Sequence, residues 1–180
     1  MEEVYRVRIV GVRPLLLHNP AGMIGNLPKL RRGEHLPPEE EAKRYLYLDE
    51  EGRSCIPAAN IKACIRDAGR NYRVRGRRTT FAAMIRAALT ISPRMVPIIS
   101  KEGWKVDLRS VVVQRQRILR ARPRYDDWEL EFTIRNEDPT IIPAEMLKKI
   151  IIDAGRWYGL GDFRPEYGLF QLKEFKTEDK

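Results

Sequence analysis

Apolar and polar residues alternate at the start of the chain. Tyr5, Val7 and Ile9 interleave with Arg6 and Arg8, a period of two that predicts a strand over Val4 to Val12 with one buried face. Pro14 and the apolar Leu15-Leu16-Leu17 follow. His18 to Pro38 is rich in Gly, Pro, Asn and Arg and reads as a long exposed loop. With a short helix over Glu39 to Tyr45 it forms an insertion spanning residues 18–48 after the first strand. Asp49-Glu50-Glu51-Gly52 is a turn leading to Ile56-Pro57.

The period then changes. Ile61, Ile65, Ala68 and Tyr72 recur at i, i+4, i+7 and i+11, predicting a helix with an apolar stripe. Lys62, Arg66 and Arg70 form a basic stripe on another face. Asn60 or a neighbour is the expected cap, with Pro57 just outside. The connection Arg73-Val74-Arg75-Gly76-Arg77-Arg78 is too charged for a core. A second helix is expected over Thr80 to Ala88, with Phe81, Ile85 and Ala88 inward. Leu89 to Ile99 is β-rich but broken by Pro93 and Pro97, and Val106 to Val113 reads as a strand.

From Gln114 to Tyr125 the chain places Arg120, Arg122 and Arg124 on one side of an extended segment. Pro123 argues for a strand edge or a projecting hairpin, so residues 114–127 are a candidate thumb-like projection. Trp128, Leu130, Phe132 and Ile134 alternate cleanly with Glu129, Glu131 and Thr133. Pro143 to Trp157 is an amphipathic helix with Met146, Leu147, Ile150, Ile151, Ala154 and Trp157 on its apolar side, stopped by Gly159-Leu160-Gly161. Trp128 and Trp157 are both expected in the core. Leu169 to Phe175 supplies the last strand. The order predicts one α+β domain over residues 1–180, a ferredoxin-like (RRM-like) antiparallel sheet with two main helices on one face.

Charge changes this picture from a fold to a function. Arg53 to Arg94 holds ten Lys or Arg residues and one acid, Asp67. That stretch alone carries the chain's formal net charge of +9, and the remaining acids and bases cancel. Concentrated like charge opposes the compact state, and a polyanion relieves it with release of counterions. The pattern points to a nucleic-acid footprint; a basic surface without a ligand is the plain alternative. No apolar run is long enough for a membrane span, so no membrane partner is expected. Cys55 and Cys64 lack zinc-site spacing and read as buried free thiols of a cytoplasmic protein. No cofactor or metal is expected.

The sharpest local motif is Gly159-Leu160-Gly161-Asp162-Phe163-Arg164-Pro165-Glu166-Tyr167-Gly168. Gly159, Gly161 and Gly168 free the backbone for close approach, and Arg164 is a bidentate phosphate donor. The glycines follow a helix instead of opening one, which excludes a dinucleotide-binding loop. A helix stop with a hairpin-like turn remains the bland reading. Tyr72, Tyr125, Phe163 and Tyr167 neighbour arginines, and phosphate contact ranks above base stacking.

Two segments resemble the RAMP superfamily, the ferredoxin-like proteins that include backbone subunits of CRISPR effector complexes. Ile56-Pro57-Ala58-Ala59-Asn60-Ile61-Lys62-Ala63-Cys64-Ile65-Arg66 is similar to the family's segment opening the first helix, and Gly159 to Phe170 to its glycine-rich loop. Val4 to Leu17 resembles its first strand. Ala58 and Ala59 stand where the family tends to have Gly and Ser, and Asp162, Pro165 and Glu166 make the loop less glycine-rich. The sequence also resembles a group of phage- and prophage-encoded proteins. The resemblance implies an oligomerising subunit that binds single-stranded RNA or DNA, with itself or other subunits as partners and Lys62, Arg66 and Arg164 near the backbone.

Three readings follow. The first is sequence-independent binding of single-stranded nucleic acid, RNA before DNA, by Lys62, Arg66, Arg70, Arg73, Arg75, Arg77, Arg78 and Arg164, aided by Arg120, Arg122 and Arg124. The second is a phage-derived structural or assembly protein that binds DNA or an acidic protein surface. The third is a metal-independent ribonuclease using His18 or His35, the chain's two histidines. Some superfamily nucleases use a loop aspartate after the first strand; this loop has only Glu34. A loop histidine is more often solvated, so catalysis ranks last.

Overall fold

The computed structural model describes residues 2–23, 36–113 and 115–178. His35 and most of the predicted 18–38 loop lie outside the described residues. The strands are β1 (Glu3–Gly11), β2 (Leu15–Leu16), β3 (Cys55–Pro57), β4 (Leu89–Ser92), β5 (Met95–Pro97), β6 (Lys105–Val113), β7 (Gln116–Tyr125), β8 (Glu129–Asn136) and β9 (Phe170–Thr177). The helices are α1 (Pro38–Arg44), α2 (Ala58–Gly69), α3 (Phe81–Ala88) and α4 (Ala144–Asp153), and a π-helical turn over Ala154–Tyr158 continues α4.

The main sheet has the order β4-β8-β1-β9 with all neighbours antiparallel. The predicted alternation is realised in it: Tyr5, Val7 and Ile9 of β1 and Leu130, Phe132 and Ile134 of β8 are buried. They share one core with Ile61, Ile65 and Ala68 of α2 and with Leu147, Ile150 and Ile151 of α4. The chain is therefore α+β, with antiparallel sheets and four α-helices among the described residues. On the open face Arg8 pairs with Glu129 and Glu131, and Arg6 with Glu131. The inserted strands make two smaller sheets, β3-β5 and β2-β7-β6.

Two local expectations are corrected and one is narrowed. Asn60 does not cap α2, which starts at Ala58 without a side-chain cap; the Ala58 N–H instead donates to the Arg94 carbonyl at 2.9 Å. Pro123 marks where β7 becomes an edge: β2 pairs with β7 only at Tyr125 and Arg124, so among the described residues β7 is flanked on both sides there and by β6 alone from Gln116 to Pro123. Leu17 N–H donates to the Pro123 carbonyl, but proline has no N–H to return, and β2 stops at Leu16. Trp157 is not core: it is 62% exposed, whereas Trp128 is buried and donates its indole N–H to the Arg13 carbonyl. The π turn shifts the helical phase by about one residue. Gly155 then packs on Phe170, and Trp157 swings outward.

Candidate nucleic-acid interface

The basic stripe of α2 is only partly free. Lys62 Nζ donates to the carbonyl of Arg86 at 3.0 Å, closing the end of α3, and burial lowers its pKa. Arg66 and Arg70 share a single carboxylate, Asp67, at 2.9 and 3.3 Å. Two guanidinium groups on one carboxylate leave a positive balance at the end of the helix. The connection beyond it continues this excess. Arg73, Arg75, Arg77 and Arg78 are all exposed, and none makes an ion pair within 4 Å among the described residues, Arg77 alone lying within electrostatic reach of a carboxylate, Asp138. Gly76 at φ +73° and the Arg73–Thr80 bridge turn the chain back within eight residues, which keeps the four guanidinium groups together.

The glycine-rich segment runs along the opposite flank of α2. Asn71 donates to the Tyr158 hydroxyl at 2.9 Å near one end of α2, and at the other end Asn60 lines a small cavity with Gly161 and Asp162. Arg164 is exposed and within electrostatic reach of Cys64. Cys64 lies roughly 200° round the helix from Lys62 at 100° per residue. The structure thus places Arg164 beside α2, though not facing the Lys62 stripe.

Two glycines explain how the loop sits so close. A Cβ at Gly161 would strike the Leu16 carbonyl and one at Gly168 the Leu160 carbonyl, and both residues have positive φ. Asp162 N–H donates to Leu16 and Gly168 N–H to Pro14, each at 2.8 Å, pinning the loop to the segment after β1. Phe163, at φ +54°, is held with 41% of its surface exposed.

The hairpin β6–β7 places Arg120, Arg122 and Arg124 on one face, as expected, opposite Arg109, Asp107 and Lys105. These arginines are already engaged. Arg120 pairs with Glu41 of α1 at 3.1 Å, and Arg124 with Asp126 at 2.8 Å and Asp107 at 3.3 Å. Arg122 is only 9% exposed and stacks over Phe163, 5.1 Å from the ring centre. Its Nε donates to His18 Nδ1 at 3.1 Å. Its Nη1 lies 3.2 Å from Asp162 Oδ2, but out of line for a hydrogen bond, and so is a buried donor without an acceptor. Arg109, which sequence reasoning missed, contacts the Tyr167 hydroxyl and lies 4.4 Å above its ring. No sequence signal marks it, since only the folded hairpin sets Arg109 opposite Arg120.

His18 is not the solvated loop residue expected. It is half-buried, stacks on Tyr45 at 4.6 Å, and accepts from Arg122. Burial, then the Arg122 charge, holds its pKa below the ordinary 6.5. Tyr125 is core, and Tyr72 is bound to Asp153, a hydrogen bond that pushes its phenol up to about 12. Cys55 and Cys64 are buried free thiols, and burial raises the pKa of Cys64 to about 12. No cluster of three or more metal-ligating side chains occurs among the described residues. No helix among them is long and apolar enough to cross a membrane.

No protein-family model matches the chain, and no curated protein matches it. The fold is similar to that of a chain in the cryo-EM structure of the type III-B Cmr-beta bound to cognate target RNA. The TM-score is 0.62 at 15% identity, and the match covers 98% of this chain. This chain spans 60% of the length of that one.

Proposed function

We propose that this chain binds single-stranded RNA, without reading its sequence, as a subunit of a CRISPR-effector-like ribonucleoprotein. One observation carries the reading: four exposed guanidinium groups in the 73–78 connection, free of ion pairs among the described residues, adjoin a helix end with two arginines on one carboxylate. Such a surface is relieved of repulsion by a phosphate backbone. The likeness to a chain of an RNA-bound Cmr-beta complex agrees with it. The strand order, with β8 inserted between β1 and β4 and helical crossovers before β4 and β9, supports a ferredoxin-like reading of the sheet.

The open sheet face is a poor alternative site. It carries no aromatic platform of the kind RRM sheets use, and its charges neutralise one another. In this reading Arg120, Arg122 and Arg124 brace the hairpin, Arg164 and Phe163 are available to the strand, and His18 positions Arg122. The test is titration of labelled oligouridylate at several salt concentrations. Affinity is expected to fall steeply with salt, and Arg75→Gln with Arg77→Gln to reduce the log–log slope by about 1.4. Arg66→Gln with Arg70→Gln should reduce it less, since those groups are shared with Asp67. A flat salt response, or an unchanged slope in the first pair, would overturn the proposal.

A further inference from the structure

β9 forms one edge of the main sheet, and among the described residues no strand pairs with its outer side. Val12 N–H donates to the Leu169 carbonyl and Glu178 N–H to the Val4 carbonyl, which fixes the residues whose main chain turns towards β1. With the irregularity at Arg8/Ile9, alternation directs the peptide groups of Leu172, Phe175 and Thr177 outward. These donors and acceptors lie beside a groove. Two adjoining cavities, of about 400 and 350 Å³, run between β9 and α4 and share Ile152 and Leu172. Ile152, Leu172 and Phe175 give the groove an apolar lining, and Val12 lies at one end.

The rim is basic. Arg156 stands at one end and Lys148, Lys173 and Lys176 at the other. Glu174 answers Lys176 at 3.0 Å, while Arg156, Lys148 and Lys173 make no ion pair among the described residues. An unpaired strand edge beside an apolar groove is the geometry of strand addition, in which main-chain bonds give affinity and alternate side chains fill pockets. We propose that this groove takes an extended segment of a protein partner as a fifth strand on β9, with apolar residues at alternate positions and acidic residues between them.

Two other occupants fit less well. A nucleic acid offers no peptide groups to the edge, and Phe175 is already stacked on Tyr5 at 4.8 Å. A second copy paired antiparallel through β9 would crowd Lys173 and Lys176 of both copies onto one short edge, the charge pattern that blocks edge-to-edge association. The inference is independent of the RNA-binding reading, since none of its residues belongs to the 73–78 connection.

The test uses the full chain and a fluorescein-labelled peptide of alternating Val and Glu, about ten residues long. A control peptide of equal charge carries Pro in place of alternate Val residues. Anisotropy should show binding of the first and about tenfold weaker binding of the second, because proline cannot complete the ladder. Hydrogen exchange at Leu172, Phe175 and Thr177 should slow on adding the first peptide. Ile152→Glu, at an exposed position, should abolish binding while leaving oligouridylate affinity unchanged. Thr177→Pro, which removes one outward N–H, should weaken it independently. Absence of binding, or equal binding of both peptides, would overturn the proposal. So would protection of the same amides by oligouridylate, or their protection in a dimer without peptide.

Discussion

Arg122 and His18 hold each other in place, and their coupling can be read in either direction. The imidazole is half-buried, faced by Arg122 and Arg120 from β7 and by Asp162 from the glycine-rich loop, with Tyr45 stacked on one side. Burial and the two cations disfavour imidazolium, Asp162 favours it, and the net direction is a lowered pKa. The unfolded chain takes up the proton first as pH falls. This contribution to stability is therefore complete above pH 6.5 and is lost as pH falls through the folded value. Melting temperatures of the wild type and of His18→Gln, followed from neutral to acid pH, should converge below pH 6.5; a constant gap would contradict the assignment. Arg122→Met should raise the His18 pKa, read by NMR titration of the ring protons. The substitution should cost only about 1 kcal/mol, because it also removes a buried donor that has no acceptor and leaves Asp162 able to meet water.

Among the elements, the turn after α4 decides how the last third of the chain is arranged. Its π-helical residues bring Gly155 against the carbonyl and ring of Phe170, so that β9 can lie close to α4. Gly155→Ala should cost about 1–3 kcal/mol in denaturant unfolding through overpacking. Trp157→Ala should change stability by no more than about 0.5 kcal/mol, whereas Trp128→Ala should cost about 3–5 kcal/mol. Equal losses at the two tryptophans would show that the helix keeps its α phase. Periodicity made β1, β8, α2 and most of α4 legible, because one face of each is dry. It could not show the π turn, since one extra residue in a helix leaves Trp157 with the spacing of a core position. Nor could it show which arginines are free. Arg120 and Arg75 are alike in the sequence, and the difference is Glu41, a residue 79 positions away that only the fold brings to Arg120.

Over the whole molecule, neutralised and free charge are segregated. The open sheet face and the foot of the β6–β7 hairpin carry matched ion pairs, while the 73–78 connection and the rim between β9 and α4 carry a surplus of cations without ion pairs among the described residues. The hairpin itself divides in the same way. Its foot is built into the core through Tyr125 and the neighbouring Leu15, and α1 packs on it. Farther out, Leu108, Val112 and Leu119 are largely exposed, so the distal half shares little burial with the body of the protein. Residues that bury nothing on folding contribute little to stability, and a projection of this kind is a tolerated site for shortening. Removing residues 110–119 and joining Arg109 to Arg120 through Asn-Gly preserves their pairing across the hairpin. The shortened chain should unfold within about 4 °C of the wild type. If the projection reaches along a bound strand, the shortened protein should bind oligouridylate more weakly and protect a shorter stretch from nuclease. An unchanged footprint would confine the interface to the connection after α2. A collapse in melting temperature would instead make the distal hairpin part of what holds the fold together.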